Sequence, residues 1–156
     1  MKWEKSLVIK IIAIGTIIIS LAIISVNLSN PNSLLHSILS THKENLVDAS
    51  IVVSPGHYVS YSATAPTGSN NCKITGSFSA RGGNDDIIVY VVDQNEFANL
   101  QNGENFNVYY STPQQISGNF NVGIPCDKTI YLVFSNTFSI ITSKTVTVKA
   151  DFEYER

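Results

Sequence analysis

Hydrophobic and polar positions follow three different patterns along this chain. Residues 11–26 are charge-free and almost wholly apolar, and Leu7, Val8 and Ile9 extend the run with only Lys10 interrupting it. A helix needs about 20 mainly apolar residues to cross the hydrocarbon core of a bilayer, so residues 7–26 predict a transmembrane helix. Lys10 lies one turn inside and can snorkel to the interface. Residues 27–33, with Pro31 among Asn and Ser, read as a break. Beyond it Leu34, Leu35, Ile38 and Leu39 fall on one helical face, which predicts a short amphipathic helix over 34–46 capped by Ser33. The plainer alternative for 29–47 is a partly ordered stalk.

From residue 48 onward the period changes to two. Val146, Val148, Ala150, Phe152 and Tyr154 alternate with Thr145, Thr147, Lys149, Asp151 and Glu153, the pattern of a strand with one buried and one wet face. Cys72, Ile74, Gly76, Phe78 and Ala80 share a face in the same way, as do Ile130, Leu132 and Phe134. Residues 87–92 are apolar on both faces and predict a central strand. Strands are expected over 49–53, 58–65, 72–80, 87–92, 106–111, 116–124, 129–135 and 144–154, separated by Gly, Asn and Ser clusters. Between the fourth and fifth, 94–101 reads as a short helix with Phe97 and Leu100 inward and Asn102-Gly103 ending it. Eight short strands in roughly 110 residues suggest an all-β, antiparallel, two-sheet sandwich of jelly-roll type. The organisation expected is a membrane anchor over 1–28, a linker over 29–47 and the β-domain over 48–156.

Charge sets the orientation. Lys2, Lys5 and Lys10 precede or enter the apolar run, with Glu4 alone against them, so the positive-inside rule keeps the N-terminus cytoplasmic and places the β-domain outside. The competing reading, a cleaved signal peptide, calls for a shorter apolar region and a small-x-small site, which Ala22-Ile-Ile and Ser25-Val-Asn27 match poorly. Cys72 and Cys126 are an even pair in a domain assigned to an oxidising compartment, where disulfides persist; two unrelated buried thiols are the alternative. Neither has a Cys or His at metal-ligand spacing.

Several local motifs carry a family resemblance. Phe78-Ser-Ala-Arg-Gly-Gly-Asn-Asp-Asp-Ile-Ile-Val-Tyr-Val-Val-Asp93 is followed by Asn95-Glu-Phe97 and Asn102-Gly103, and later by Tyr131-Leu-Val-Phe-Ser-Asn136-Thr-Phe-Ser139 and Ser143-Lys-Thr-Val146. These resemble the GOLD domain of the p24/emp24 cargo-receptor family over residues 51–154. The resemblance implies a β-sandwich, a protein-interaction role, and a disulfide tying the two sheets through Cys72 and Cys126. Ser135 stands where that family usually has aspartate. The layout also differs, since here the membrane segment precedes the domain, so the resemblance does not extend to vesicle-coat sorting.

Candidate chemistry is sparse. Asn84, Asp85, Asp86 and Asp93 form the best polar cluster and could hold calcium through hard oxygen ligands, against the plainer reading of a Gly82-Gly83-Asn84-Asp85 turn. Asn136 and Lys144, with Ser135 and Ser139, are candidate interaction residues in a connection whose side chains can also bond to the backbone. Tyr61 and Tyr110, with Tyr58 and Tyr109, could line an aromatic platform, although Tyr109 and Tyr110 must point to opposite faces. Of the three histidines, His36 and His42 do not share a helix face, and a catalytic triad would have to be built on His57. No nucleophile elbow, phosphate loop or paired catalytic glutamates occur, and the mildly acidic β-domain has no basic patch for nucleic acid. The residues therefore point to a non-enzymatic, membrane-anchored interaction module with a protein partner and no cofactor. The alternatives are a carbohydrate- or calcium-binding accessory domain and a structural surface or filament subunit.

Overall fold

Alternating burial along β8, where every second residue from Lys144 to Tyr154 is buried, shows how the period-two pattern is used: one face of a strand meets a second sheet and the other meets water. The computed structural model describes residues 40–156. Eight strands and one helix follow in order: β1 (Thr41–Val53), β2 (Tyr58–Thr64), β3 (Asn70–Arg81), β4 (Ile88–Asp93), α1 (Gln94–Asn102), β5 (Tyr110–Ser111), β6 (Ser117–Gly123), β7 (Thr129–Ser135) and β8 (Lys144–Glu155). They form two four-stranded sheets, β1-β8-β3-β6 and β2-β7-β4-β5, with antiparallel pairing throughout. The pairs β4·β5, β3·β6, β2·β7 and β1·β8 are successive rungs of one long nested hairpin. Rolling that hairpin up creates β3·β8 and β4·β7 and closes a sandwich with jelly-roll strand order.

The core fills the space between the sheets. Ile74, Phe78, Val146, Val148 and Phe152 from the first sheet meet Val89, Val91, Ile130, Leu132 and Phe134 from the second, all buried. Gly76 shares the inner face of β3 because Phe120, its partner on β6, lays its ring across it: a Cβ there would sit 2.6 Å from the Phe120 ring and 2.5 Å from Lys149 O. The second sheet has an apolar outer face too. Val92 and Val133 are covered by Phe97 of α1, whose ring stacks on Tyr131 with centroids 4.2 Å apart. That cover explains why 87–92 is apolar on both sides, as a central strand next to β7 should be.

Two elements differ from the sequence reading. The helix expected over 34–46 gives way, from Thr41 on, to strand β1, so the β-unit begins at Thr41 and not at 48. Residues 34–39 lie outside the described residues. Over the described part of that stretch, tertiary pairing decides for a strand. Strand β8 offers a ladder as far as Glu155, Lys43 pairs with Asp151 and Glu153, Tyr154 Oη donates to Glu44, and His42 stacks on Tyr154. A register shift between Asn45 and Val47 absorbs the odd spacing of this segment. The strand expected over 106–111 shrinks to Tyr110–Ser111. Its first residues leave the ladder because Asn107 N–H donates to Glu96 at 2.8 Å and Phe106 packs edge-on against Tyr90.

Cys72 and Cys126 are joined, with Cα atoms 5.4 Å apart and a separation of 54 positions in sequence. The bridge runs from β3 in the first sheet to the connection that crosses into β7 of the second. Among the described residues no helix is long and apolar enough to cross a membrane; the span expected at 7–26 lies outside them, as do residues 27–33.

Candidate functional site

The register of β2 with β7 defines the two poles of the sandwich: Thr64 faces Thr129 at one end and Tyr58 faces Ser135 at the other. Each pole carries an ion pair between a loop or strand end and its neighbour, Lys144–Asp86 and Lys128–Asp93, while Lys43, Lys73 and Lys149 pair with carboxylates along the first sheet.

At the Ser135 pole, Asn136 is fully buried and acts as a post. Its Nδ2 donates to Val53 O at 3.1 Å and to Thr142 O at 2.9 Å, its backbone N–H reaches His57 O, and its carbonyl accepts from Gly56 N–H. Ser139 Oγ bonds Thr142 O at 3.0 Å. Beside this post, Lys144 Nζ donates to Asp86 Oδ1 at 2.5 Å and to Gly82 O at 2.9 Å and lies 5.8 Å from the centre of the Phe138 ring. The Lys144 side chain is 3% exposed, so this is a buried ion pair. A shallow pocket of about 210 Å³ opens over it, walled by Asn84, Gln114, Phe138 and Thr142. Above this base the connection turns outward, and Ile140 and Ile141 stand 91% and 88% exposed.

At the Thr129 pole, Asp93 caps α1: its Oδ1 accepts from Asn95 N–H at 3.0 Å and Glu96 N–H at 3.1 Å. Its Oδ2 accepts from Lys128 Nζ at 2.6 Å and Tyr109 Oη at 3.1 Å. The Lys128 ammonium holds the Asp93 carboxyl below the usual carboxylate range, helped by the Glu96 amide and Tyr109 and opposed by burial. Asp93 in turn pushes Lys128 up. Beyond them, the β2–β3 and β6–β7 connections enclose a depression of about 330 Å³.

The structure does not bring the four suggested calcium ligands together. Asn84 and Asp85 lie in the turn ahead of β4; Asp85, at φ 57°, accepts from Gly82 N–H at 2.6 Å through Oδ1. Asp86 is committed to Lys144. Asp93 closes the far end of β4, a strand length of about 20 Å away at the usual rise per residue, and is committed to Lys128 and the helix cap. Among the described residues no group of three or more His, Cys, Asp or Glu side chains is placed to hold a metal ion. Asn136 and Lys144 do come together, though as internal posts and not as surface contacts. Tyr61 and Tyr110 pack against the core, Tyr110 with its ring 6.2 Å from that of Phe120, so they form no open platform with Asn136. His57 is exposed in its turn and bonds Pro55 O through Nδ1 at 2.7 Å.

Sequence reasoning passed over Ile140 and Ile141. Their signal was two adjacent β-branched residues in a segment otherwise made of Ser, Thr and Asn with Phe138, where period-two alternation stops.

No family model matches the chain, and no curated protein does. Among solved structures it is similar to FLHE, at 11% identity and a TM-score of 0.41 over 76% of this chain and 97% of that one. It is also similar to a Bacillus endospore appendage described as one of a family of disulfide-linked pili, at 9% identity and 0.40 over 74% and 87%. A third likeness is to a mutant of the carbohydrate-binding module CBM29-2, at 11% identity and 0.42 over 72% and 92%. At these identities and scores the likenesses say nothing about what this chain binds.

Proposed function

We propose that this chain is a membrane-anchored, extracytoplasmic β-sandwich that works as a protein-interaction module without catalysing a reaction. The carrying observation is the contrast at the Ser135 pole. The charged and amide groups there are turned inward into a buried pair and a buried post, while two isoleucines are held outward in water. Surface apolar residues scattered singly need no explanation, but an adjacent pair on a connection braced at its base is a preformed contact, since little conformational freedom is left to lose on binding. The disulfide supports an oxidising compartment, and the apolar run at 7–26 supports attachment to a membrane.

A photo-crosslinking amino acid replacing Ile141 in the full chain, irradiated on intact cells, tests this. Protein adducts at that position, absent when the same group replaces Thr145, are expected. If position 141 yields no more adduct than position 145, the pole is not a contact surface and the reading falls.

A further inference from the structure

Of the lysines among the described residues, Lys144 alone is buried. Its amine meets two acceptors from one turn, Gly82 O at 2.9 Å and Asp86 Oδ1 at 2.5 Å. Asp86 is buried too. Lysine and aspartate are almost never fully buried unless paired, and taking both charges out of water is costly even when they pair. The other lysines in ion pairs, Lys43, Lys73, Lys128 and Lys149, have side chains at least 40% exposed, so water hydrates their charges.

A buried amine against a buried carboxyl can shed both charges by condensing to a neutral amide. Asp86 Cγ lies one bond beyond Oδ1, which sets Nζ close to the roughly 3–3.5 Å approach of a near-attack geometry. The partners are fixed before reaction. Lys144 opens β8 in the first sheet, and Asp86 stands just ahead of β4 in the second. Gly82 lets the turn close on the start of β8, since a Cβ there would meet Ser143 O at 2.5 Å. The Phe138 ring lies 5.8 Å from Nζ.

We infer that Lys144 and Asp86 are a modification site, where Nζ and the Asp86 side chain join in an intramolecular isopeptide bond that staples the two sheets. The step needs no oxidant, reductant or co-reactant. One Nζ proton passes to the carboxyl along the existing hydrogen bond, and the freed amine pair attacks Cγ. The N–C bond forms, a C–O bond breaks, and the oxygen leaves as water carrying two of the three ammonium protons. The shallow pocket over the pair gives that water a way out. The remaining N–H still faces Gly82 O. The ion pair is the state before reaction, and the bond would close a separation of 58 positions at the pole opposite the Cys72–Cys126 bridge, in a form that thiols do not cleave. Asn136 is the rival acyl group, buried with Oδ1 unpartnered. Its Nδ2, the group that would have to leave, is held by Val53 O and Thr142 O, which favours Asp86. The inference is independent of what the module binds.

Mass spectrometry of the full chain, aged at neutral pH and then reduced, alkylated, denatured and digested, tests this. The wild type is expected to yield a branched peptide joining Lys144 to Asp86, lighter than its two parts by one water. Lys144→Arg keeps the charge but not the reactive amine, and it should yield the two peptides separately at full mass. Unlinked Lys144 and Asp86 peptides in the aged wild type overturn the inference, and that reading needs no variant to fold. A branch to Asn136 with loss of ammonia assigns the bond to the wrong acyl group and overturns it as well. Loss of water at Asp86 that persists in Lys144→Arg would come from the aspartate closing on its own backbone, and the isopeptide assignment would fail.

Discussion

Lys144 Nζ and Asp86 Oδ1 meet at 2.5 Å in a site where the lysine side chain is 3% exposed, and the contact joins the first residue of β8 to the turn ahead of β4. It therefore ties one sheet to the other at the Ser135 pole, while the Cys72–Cys126 bridge does the same at the Thr129 pole. Removing one member of a buried pair leaves the other charge without a partner in low dielectric. Asp86→Ala should cost about 3 kcal/mol in denaturant unfolding, and Asp86→Leu combined with Lys144→Met should recover most of that loss. If the single change were neutral, the pair would contribute nothing to holding the sheets together.

Asn136 supports the knob from beneath. Replacing it with alanine removes the side-chain donor from the buried Val53 O and leaves Thr142 O to Ser139 Oγ alone, with an expected cost of about 2 kcal/mol. Limited proteolysis should then cut between Ser135 and Lys144 faster than in the wild type. Unchanged cleavage there would mean that the connection is braced by other groups.

Reducing the disulfide releases a 54-residue separation in the unfolded chain. The chain-entropy estimate for such a loop is about 4 kcal/mol. Denaturant midpoints of oxidised and reduced protein, taken at one pH, should differ by that order, and coincident midpoints would show that the bridge stabilises nothing.

Asp93 sets an acid limb. Lys128 first, then the Glu96 amide and Tyr109, hold its carboxyl below the ordinary value; Glu153 is held down in the same sense, by Lys73 first and then by Lys43 and Thr75. With the folded value depressed, the unfolded chain takes up the proton first. The stability is complete above the unfolded value of about 3.9 for aspartate and is lost as pH falls through the lower folded value. Asp93→Asn keeps a competent helix cap but removes the charge. Its stability should fall less steeply below about pH 4 than that of the wild type, as read from unfolding curves across that range.

Gly76 should tolerate no side chain. A Cβ would lie 2.5 Å from Lys149 O and 2.9 Å from Ala150 Cα, both backbone atoms of the paired strand, which cannot step aside cheaply. Gly76→Ala is expected to cost about 1–3 kcal/mol. A neutral result in thermal unfolding would place Phe120 and β8 further from β3 than described.

How much of this was legible depended on whether the information was local. Alternation over 144–154 and over 72–80 specified strands, faces and core residues, because a half-buried strand must repeat every second residue. The helix 94–101 was readable from Phe97 and Leu100 with Gly103 behind them, and Gly103 does end α1 at φ 71°. The segment from Thr41 was not readable. Residues 41–47 carry no clear alternation of their own, and what makes them a strand is β8, which lies about a hundred residues away in sequence. The acidic cluster misled for a related reason. Asp86 and Asp93 are neighbours on paper, but an extended strand separates them while folding carries Lys144 and Lys128 to them.

The sequence by itself determined the all-β class, the inward and outward faces of most strands and the cysteine pair, since each follows from residue type and periodicity. Only the tertiary structure decided that Asn136 and Lys144 are internal posts and that Ile140 and Ile141 stand at one pole with an unfilled depression at the other. Those relations depend on which strands pair and in what register, a global outcome of closing two sheets around one core that no local window of the chain contains.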